Sequence, residues 1–264
     1  MDYSRYQAIA FRRDQHVLHV TLNRPESLNA IDDDLDTELS WLFEDIAADP
    51  DTRVAILTGA GRAFSAGGNI ANMLKVIENP LLFIDGMARG KKILYSLLDC
   101  PKPVIAKVNG PAVGLGATIA LFCDIIYAAS DAQISDPHVK VGFSAGDGGA
   151  VIWPALIGHA RAKEYLLTGK SLTGEEAARI GLINHAVPAA ELDQAVDEFA
   201  QRLAAGAARA IQWTKLSVNI GLKQLAQSVL DASFAYEALS NQTADHREAV
   251  LAFRDKRKPR FTGE

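Results

Sequence analysis

The chain has 264 residues, 48% hydrophobic and 22% charged, with a net charge of −5 and a pI near 5.7. This is ordinary globular composition with enough length for a sizeable core, and the acidic balance argues against a general nucleic-acid binder. Its two cysteines, Cys100 and Cys123, follow no metal-ligand spacing, so no metal site is expected, and a reducing cytoplasm is the simplest home. The N-terminus lacks an apolar signal-peptide core, and the most hydrophobic stretch, 112–129, is broken by Asp124. Neither a signal peptide nor a membrane span is expected. In chain order, YQAIAF and HVLHVTL read as strands flanking a turn at RRDQ, and RVAILTG, PVIAKVNG and DIIYAA follow as short apolar runs bounded by Gly, Pro or Asp. Asp32 is placed to cap a helix whose Leu35, Leu39, Leu42, Phe43 and Ile46 share one face. A second helix is expected over about 81–98. Thr173 and Glu176 form a capping box before a short helix closed by Gly181. From residue 189 onward the pattern is almost wholly helical. Strands alternating with helices and then a run of helices predict an α/β core over 1–200 and a helical region over 201–264.

Two glycine-rich junctions carry chemistry. In AKVNGPAVGLGATIALFCD a β-like run ends where Gly114 and Gly116 let the backbone approach a ligand as a helix begins. The first amides of a helix have no intrahelical partner and sit at the positive end of the dipole, so they can hold a developing negative oxygen. AFSAGGNI, residues 63–70, follows a strand and again exposes amides at a Gly-rich turn. Further on, DPHVKVGFSAGDGG places His138 and Asp147 in one loop region. An imidazole exchanges protons near pH 7, which makes His138 a candidate acid or base.

Together with LNRPESLNAID, LLTGKSLTGEEAARIGLINHAVP and LAFRDKRKPRF, these segments resemble the crotonase (enoyl-CoA hydratase/isomerase) superfamily over nearly the whole chain. The resemblance implies a spiral of ββα units with a C-terminal helical trimerisation region, an acyl-CoA substrate with coenzyme A as its only cofactor-like part, and a homotrimer or dimer of trimers. It implies that the amides of Gly68 and Leu115 form an oxyanion hole. It places Ser27, Leu28, Ala30, Ala66, Gly67, Asn69, Ile70 and Gly114 along the coenzyme A path, with Phe253 and Lys256 closing on the nucleotide, often from a neighbouring subunit. The two glutamates of the family's hydratases fall here on Thr118 and His138. A threonine hydroxyl positions water but is a poor base. The expectation is therefore a lyase that hydrates a 2-enoyl-CoA, with His138, oriented or charge-balanced by Asp147, activating water.

Other readings remain open. PH…GDG…WP, through Trp153 and Pro154, is similar to 6-oxocamphor hydrolase, which implies hydrolysis of a carbon–carbon bond in a β-diketone or acyl-CoA. Asp147 also stands where the 4-chlorobenzoyl-CoA dehalogenases carry their nucleophile, a reading that needs an aromatic pocket around it. Isomerisation and an inert acyl-CoA-binding relative are further alternatives. GFSAG matches GxSxG, so Ser144 with Asp245 and His246 would form a hydrolase triad, provided that a solid strand precedes it.

Overall fold

The structure, a computed structural model, describes residues 1–264 apart from the side chains of Ile70 and Ala71. Valine- and isoleucine-rich runs form the strands of a six-stranded sheet: β1 (Ile9–Asp14), β2 (Val17–Leu22), β3 (Val54–Gly59), β4 (Val104–Val108), β6 (Ile125–Ala129) and β9 (His185–Val187), in the order β1-β2-β3-β4-β6-β9. β1 and β2 form an antiparallel hairpin, while β2 through β9 run parallel. The expected RRDQ turn is later and tighter. Arg12, Arg13 and Asp14 pair with β2, and the reversal falls at Gln15, whose φ of 50° is left-handed. Continuous apolar runs such as VAIL in β3 are buried along their length, as befits parallel strands covered on both faces.

A second, short layer contains β5 (Ala112–Val113), β7 (Gln133–Ser135) and β8 (Leu172–Thr173). It is extended by single bridges between Ser65 and Ala112 and between Ile31 and Gly68. The chain thus repeats one unit: a strand in the large sheet, a short extended piece in the small layer, then a helix. α1 (Asp33–Ala48), α2 (Ile70–Glu78), α3 (Pro80–Asp99), α4 (Leu115–Phe122), α5 (Gly149–Thr168), α6 (Gly174–Arg179) and α7 (Leu192–Ala204) are the helices of this spiral. Asp32 caps α1 by accepting from the Leu35 amide at 2.9 Å, and the five apolar residues expected on its inner face are all buried. The Thr173–Glu176 capping box is complete at α6.

Residue 200 lies within α7, which packs on β3, β4 and β6; the long α8 (Ala208–Asn241) and α9 (Ala244–Arg254) follow. α8 crosses α3 and α5, and its last turns meet the loop before α5, where the Ser144 amide donates to Ser240 Oγ at 3.1 Å and Ser233 Oγ donates to Gly146 O at 2.8 Å. It also exposes Trp213, Val218, Ile220, Tyr236 and Leu239. No helix among the described residues is long and apolar enough to cross a membrane.

Candidate active site

The two glycine-rich segments lie side by side. The Ser65 amide donates to Pro111 O and the Val113 amide to Ser65 O, both at 3.0 Å. That closeness is why glycine is needed: a Cβ on Gly116 would stand 2.6 Å from Ser65 Cβ, and one on Gly67, at φ 80°, would stand 2.5 Å from Val113 O. The bridge between Ile31 and Gly68 uses the amides of Ile31 and Asn69 and leaves the Gly68 amide outside the ladder. Leu115 opens α4, where an amide has no intrahelical acceptor. Both Gly68 and Leu115 line a cavity of about 210 Å³. That is below the roughly 300–1,000 Å³ of sites for drug-sized ligands, and so matches an acyl group rather than a whole coenzyme A thioester.

His138, Asp147, Phe143, Glu237 and Asn241 line the same cavity. His138 starts a 3₁₀ turn, His138–Val141, directly after Asp136–Pro137. The start of α4 abuts its ring, since a Cβ on Gly114 would lie 3.4 Å from His138 Cε1. Nε2 faces Asp147 Oδ2 at 3.3 Å, while Nδ1 is held by Asp136 Oδ1. The single expected partner is therefore one of two. Asp136 went unassigned because Asp-Pro is a common turn opening. Burial by itself would push the His138 pKa down, but the two carboxylates outweigh it and hold it well above 6.5. Burial likewise would raise Asp147, yet the imidazolium, the Thr118 hydroxyl and the Gly149 amide bring it below the usual aspartate value.

Both ring nitrogens of His138 are thus engaged by carboxylates, which favours the imidazolium form. Thr118 is fully buried on α4 and donates to Asp147 Oδ1 at 3.2 Å, which holds that carboxylate in place. Asp136, His138 and Asp147 each offer a metal-ligand atom, all within 4.8 Å of one another.

Glu237 arrives from α8 with its carboxyl beside this group. Burial, and then the charge of Asp147, raise its pKa well above 4.5, so it holds a proton where an exposed glutamate would not. A lone glutamate within a long helix gives no local sign of such a place.

The coenzyme A residues divide. Gly68, Asn69 and Leu115 are on the cavity wall, and Gly67 is buried directly behind it. Ser27, Leu28, Ala30 and Ala66 are not in the cavity lining; the Ala66 amide donates to Leu28 O at 2.9 Å. The Ile70 side chain lies outside the described residues. Phe253 and Lys256, at the end of α9, are exposed and do not line the cavity within this protomer.

The hydrolase triad is overturned. A 3₁₀ turn and not a strand precedes Ser144. Asp245 is occupied by the Thr262 and Gly263 amides, and His246 Nδ1 faces Val141 O while its ring stacks on Phe143 at 3.9 Å. Trp153 is wholly buried against Tyr165 and does not line the cavity, where the aromatic residues sharing the wall with Asp147 are Phe83, Phe143 and Phe234.

Comparison with known proteins agrees with this architecture. The chain is 35% identical over 257 residues to a short-chain-enoyl-CoA hydratase of Clostridium acetobutylicum, covering 95% of each chain. It is 34% identical over 253 residues to the 1,2-epoxyphenylacetyl-CoA isomerase of Escherichia coli, covering 95% of this chain and 97% of that one. The crystal structure of an enoyl-CoA hydratase/isomerase from Mycobacterium paratuberculosis superposes with a TM-score of 0.89 at 38% identity, over 92% of this chain and 97% of that one. The family model for enoyl-CoA hydratase/isomerase matches residues 12–264, and the chain belongs to that family.

Proposed function

We propose that the protein adds water across the double bond of a 2-enoyl-CoA. The observation that carries this reading is that two unbonded backbone amides, Gly68 and Leu115, share a cavity wall with the His138–Asp147 ion pair. The amides bind the thioester oxygen and strengthen their hold as it becomes an enolate oxyanion. Water attacks C3 and gives its proton to Asp147. The His138 imidazolium delivers its Nε2 proton to C2, and transfer of the new Asp147 proton to the ring resets the pair. The net change is one water added. Asp136 and Thr118 act as positioning residues for the ring and for Asp147. The exposed apolar residues of α8 support assembly of three or six copies.

A second reading, hydrolysis of a carbon–carbon bond between two carbonyls, is favoured by one observation: Glu237 holds a proton beside the pair and is able to polarise a further carbonyl. Incubation of an enoyl-CoA and β-dicarbonyl panel in ¹⁸O-water, read by mass spectrometry, separates these outcomes. Gain of one labelled water with the thioester retained is expected. A shifted double bond at unchanged mass, or a cleaved carbon skeleton, would replace hydration with isomerisation or hydrolysis.

A further inference from the structure

Two polar side chains of α8 on the cavity wall each carry an atom with no hydrogen-bond partner among the described residues. Glu237 and Asn241 are one helical turn apart, each more than nine-tenths buried, and both belong to the cavity wall. Glu237 Oε2 is unpaired, and no hydrogen bond reaches its carboxyl group among the described residues. Asn241 Oδ1 accepts from Gln242 Nε2 at 2.7 Å, which leaves Nδ2 unpaired. The Glu237 side chain is fixed by its surroundings, since a Cβ on Gly146 would fall 2.6 Å from Glu237 Cβ.

Met87, Phe83, Phe143 and Phe234 supply apolar surface to the same lining, whose other polar members include Asp36 and Arg89, already paired with each other. A buried polar group almost always has a partner, so the partner of these two is expected from whatever fills the cavity. Asp136 and Asp147 already balance the charge of His138, and a third ionised carboxylate beside them would stand uncompensated. Glu237 therefore presents O–H and Asn241 presents N–H. Two donors call for an acceptor, and the neighbouring carboxylates repel an anionic one. A neutral oxygen satisfies both conditions.

We propose, resting on the acyl-CoA reading above, that the acyl group carries a second neutral oxygen, a ketone or hydroxyl away from the thioester, accepted by Glu237 and Asn241. A plain hydrocarbon chain fits the apolar wall but leaves both donors unmatched, and sites built to hydrogen-bond a substrate discriminate strongly against analogues that lack the group.

Calorimetric dissociation constants of the full-length wild-type protein for free CoA, hexanoyl-CoA and its 3-oxo, 5-oxo and 5-hydroxy counterparts test this. At least one oxygenated chain is expected to bind tenfold or more tightly than hexanoyl-CoA, a difference of about 1.4 kcal/mol. Asn241→Leu, with folding checked by thermal unfolding, is expected to reduce that preference to threefold or less. Glu237→Gln keeps an N–H donor and retains most of it. Equal binding of hexanoyl-CoA and every oxygenated chain overturns the inference while leaving the acyl-CoA reading intact. So does an undiminished preference in folded Asn241→Leu. Binding of none of the acyl-CoAs removes the acyl-CoA reading and this inference with it.

Discussion

The two sides of the cavity are built differently. The Gly68–Leu115 side is backbone, held by strand-like hydrogen bonds between neighbouring segments and by glycines that no other residue replaces without a clash. The other side is made of side chains, His138, Asp147 and Glu237, drawn from a turn, a loop and a distant helix, with Asp136 holding the His138 ring. Backbone donors come with the fold itself, so any residue but proline keeps the donor at position 115. The side-chain half depends on four residue identities. In the proposed reaction, stabilisation of the oxyanion is thus a property of the architecture, and the choice of reaction is a property of residues that can change one at a time.

Removing one backbone donor should have the largest effect. Proline is tolerated at the first position of a helix but has no N–H, so Leu115→Pro should lower kcat by about 10²- to 10³-fold while Leu115→Ala, which keeps the amide, should not. Equal losses in the two variants would mean that the amide is not the donor. On the other side, His138→Ala and Asp147→Asn should each cut turnover by at least about a hundredfold. Near-normal rates in both would break the proposed acid–base pair.

Asp136→Asn probes the support of the ring. Loss of a carboxylate that raises His138 should move the alkaline limb of the kcat/KM profile to lower pH, because the imidazolium is then lost earlier. An unmoved limb would exclude His138 as the acid. Thr118→Val deletes a hydrogen bond to a buried carboxylate and should cost about 1.5–3 kcal/mol of stability in a denaturant titration.

The smallest change is expected for Glu237→Gln, in the pH dependence of thermal unfolding. Glu237 has a raised pKa, so above about 4.5 the native state keeps a proton that the unfolded chain has lost. Stability therefore falls as pH rises through that window, by up to about 1.4 kcal/mol per pH unit. His138 adds stability that is complete below 6.5 and lost as pH rises through its elevated pKa; Asp147 adds stability that is lost only as pH falls through its depressed one. The variant should flatten the slope between pH 5 and 6.5 in particular. A slope identical to wild type would show that Glu237 titrates normally.

Much of the frame was legible locally. Period-2 and buried apolar runs marked the strands of the large sheet, and the Asp32 cap with its apolar stripe marked α1, because both are set by contacts a few residues apart. The glycine junctions marked two backbone segments that meet at the cavity for the same reason. The small layer was not legible, since β5 and β8 have two residues each and exist only through pairing with distant segments. Asp136 was hidden in a turn-like dipeptide. Glu237 and Asn241 were hidden in a helix where such residues are ordinarily solvated.

By itself the sequence determined an α/β architecture, a pair of glycine-bounded amides and a histidine–aspartate loop, all consequences of local geometry and residue type. The tertiary structure decided the rest. Only the crossing of α8 over the core brings Glu237 beside Asp147, and only the clamp of two carboxylates raises the pKa of the buried His138, because charge and burial around a group are set by neighbours remote in the chain.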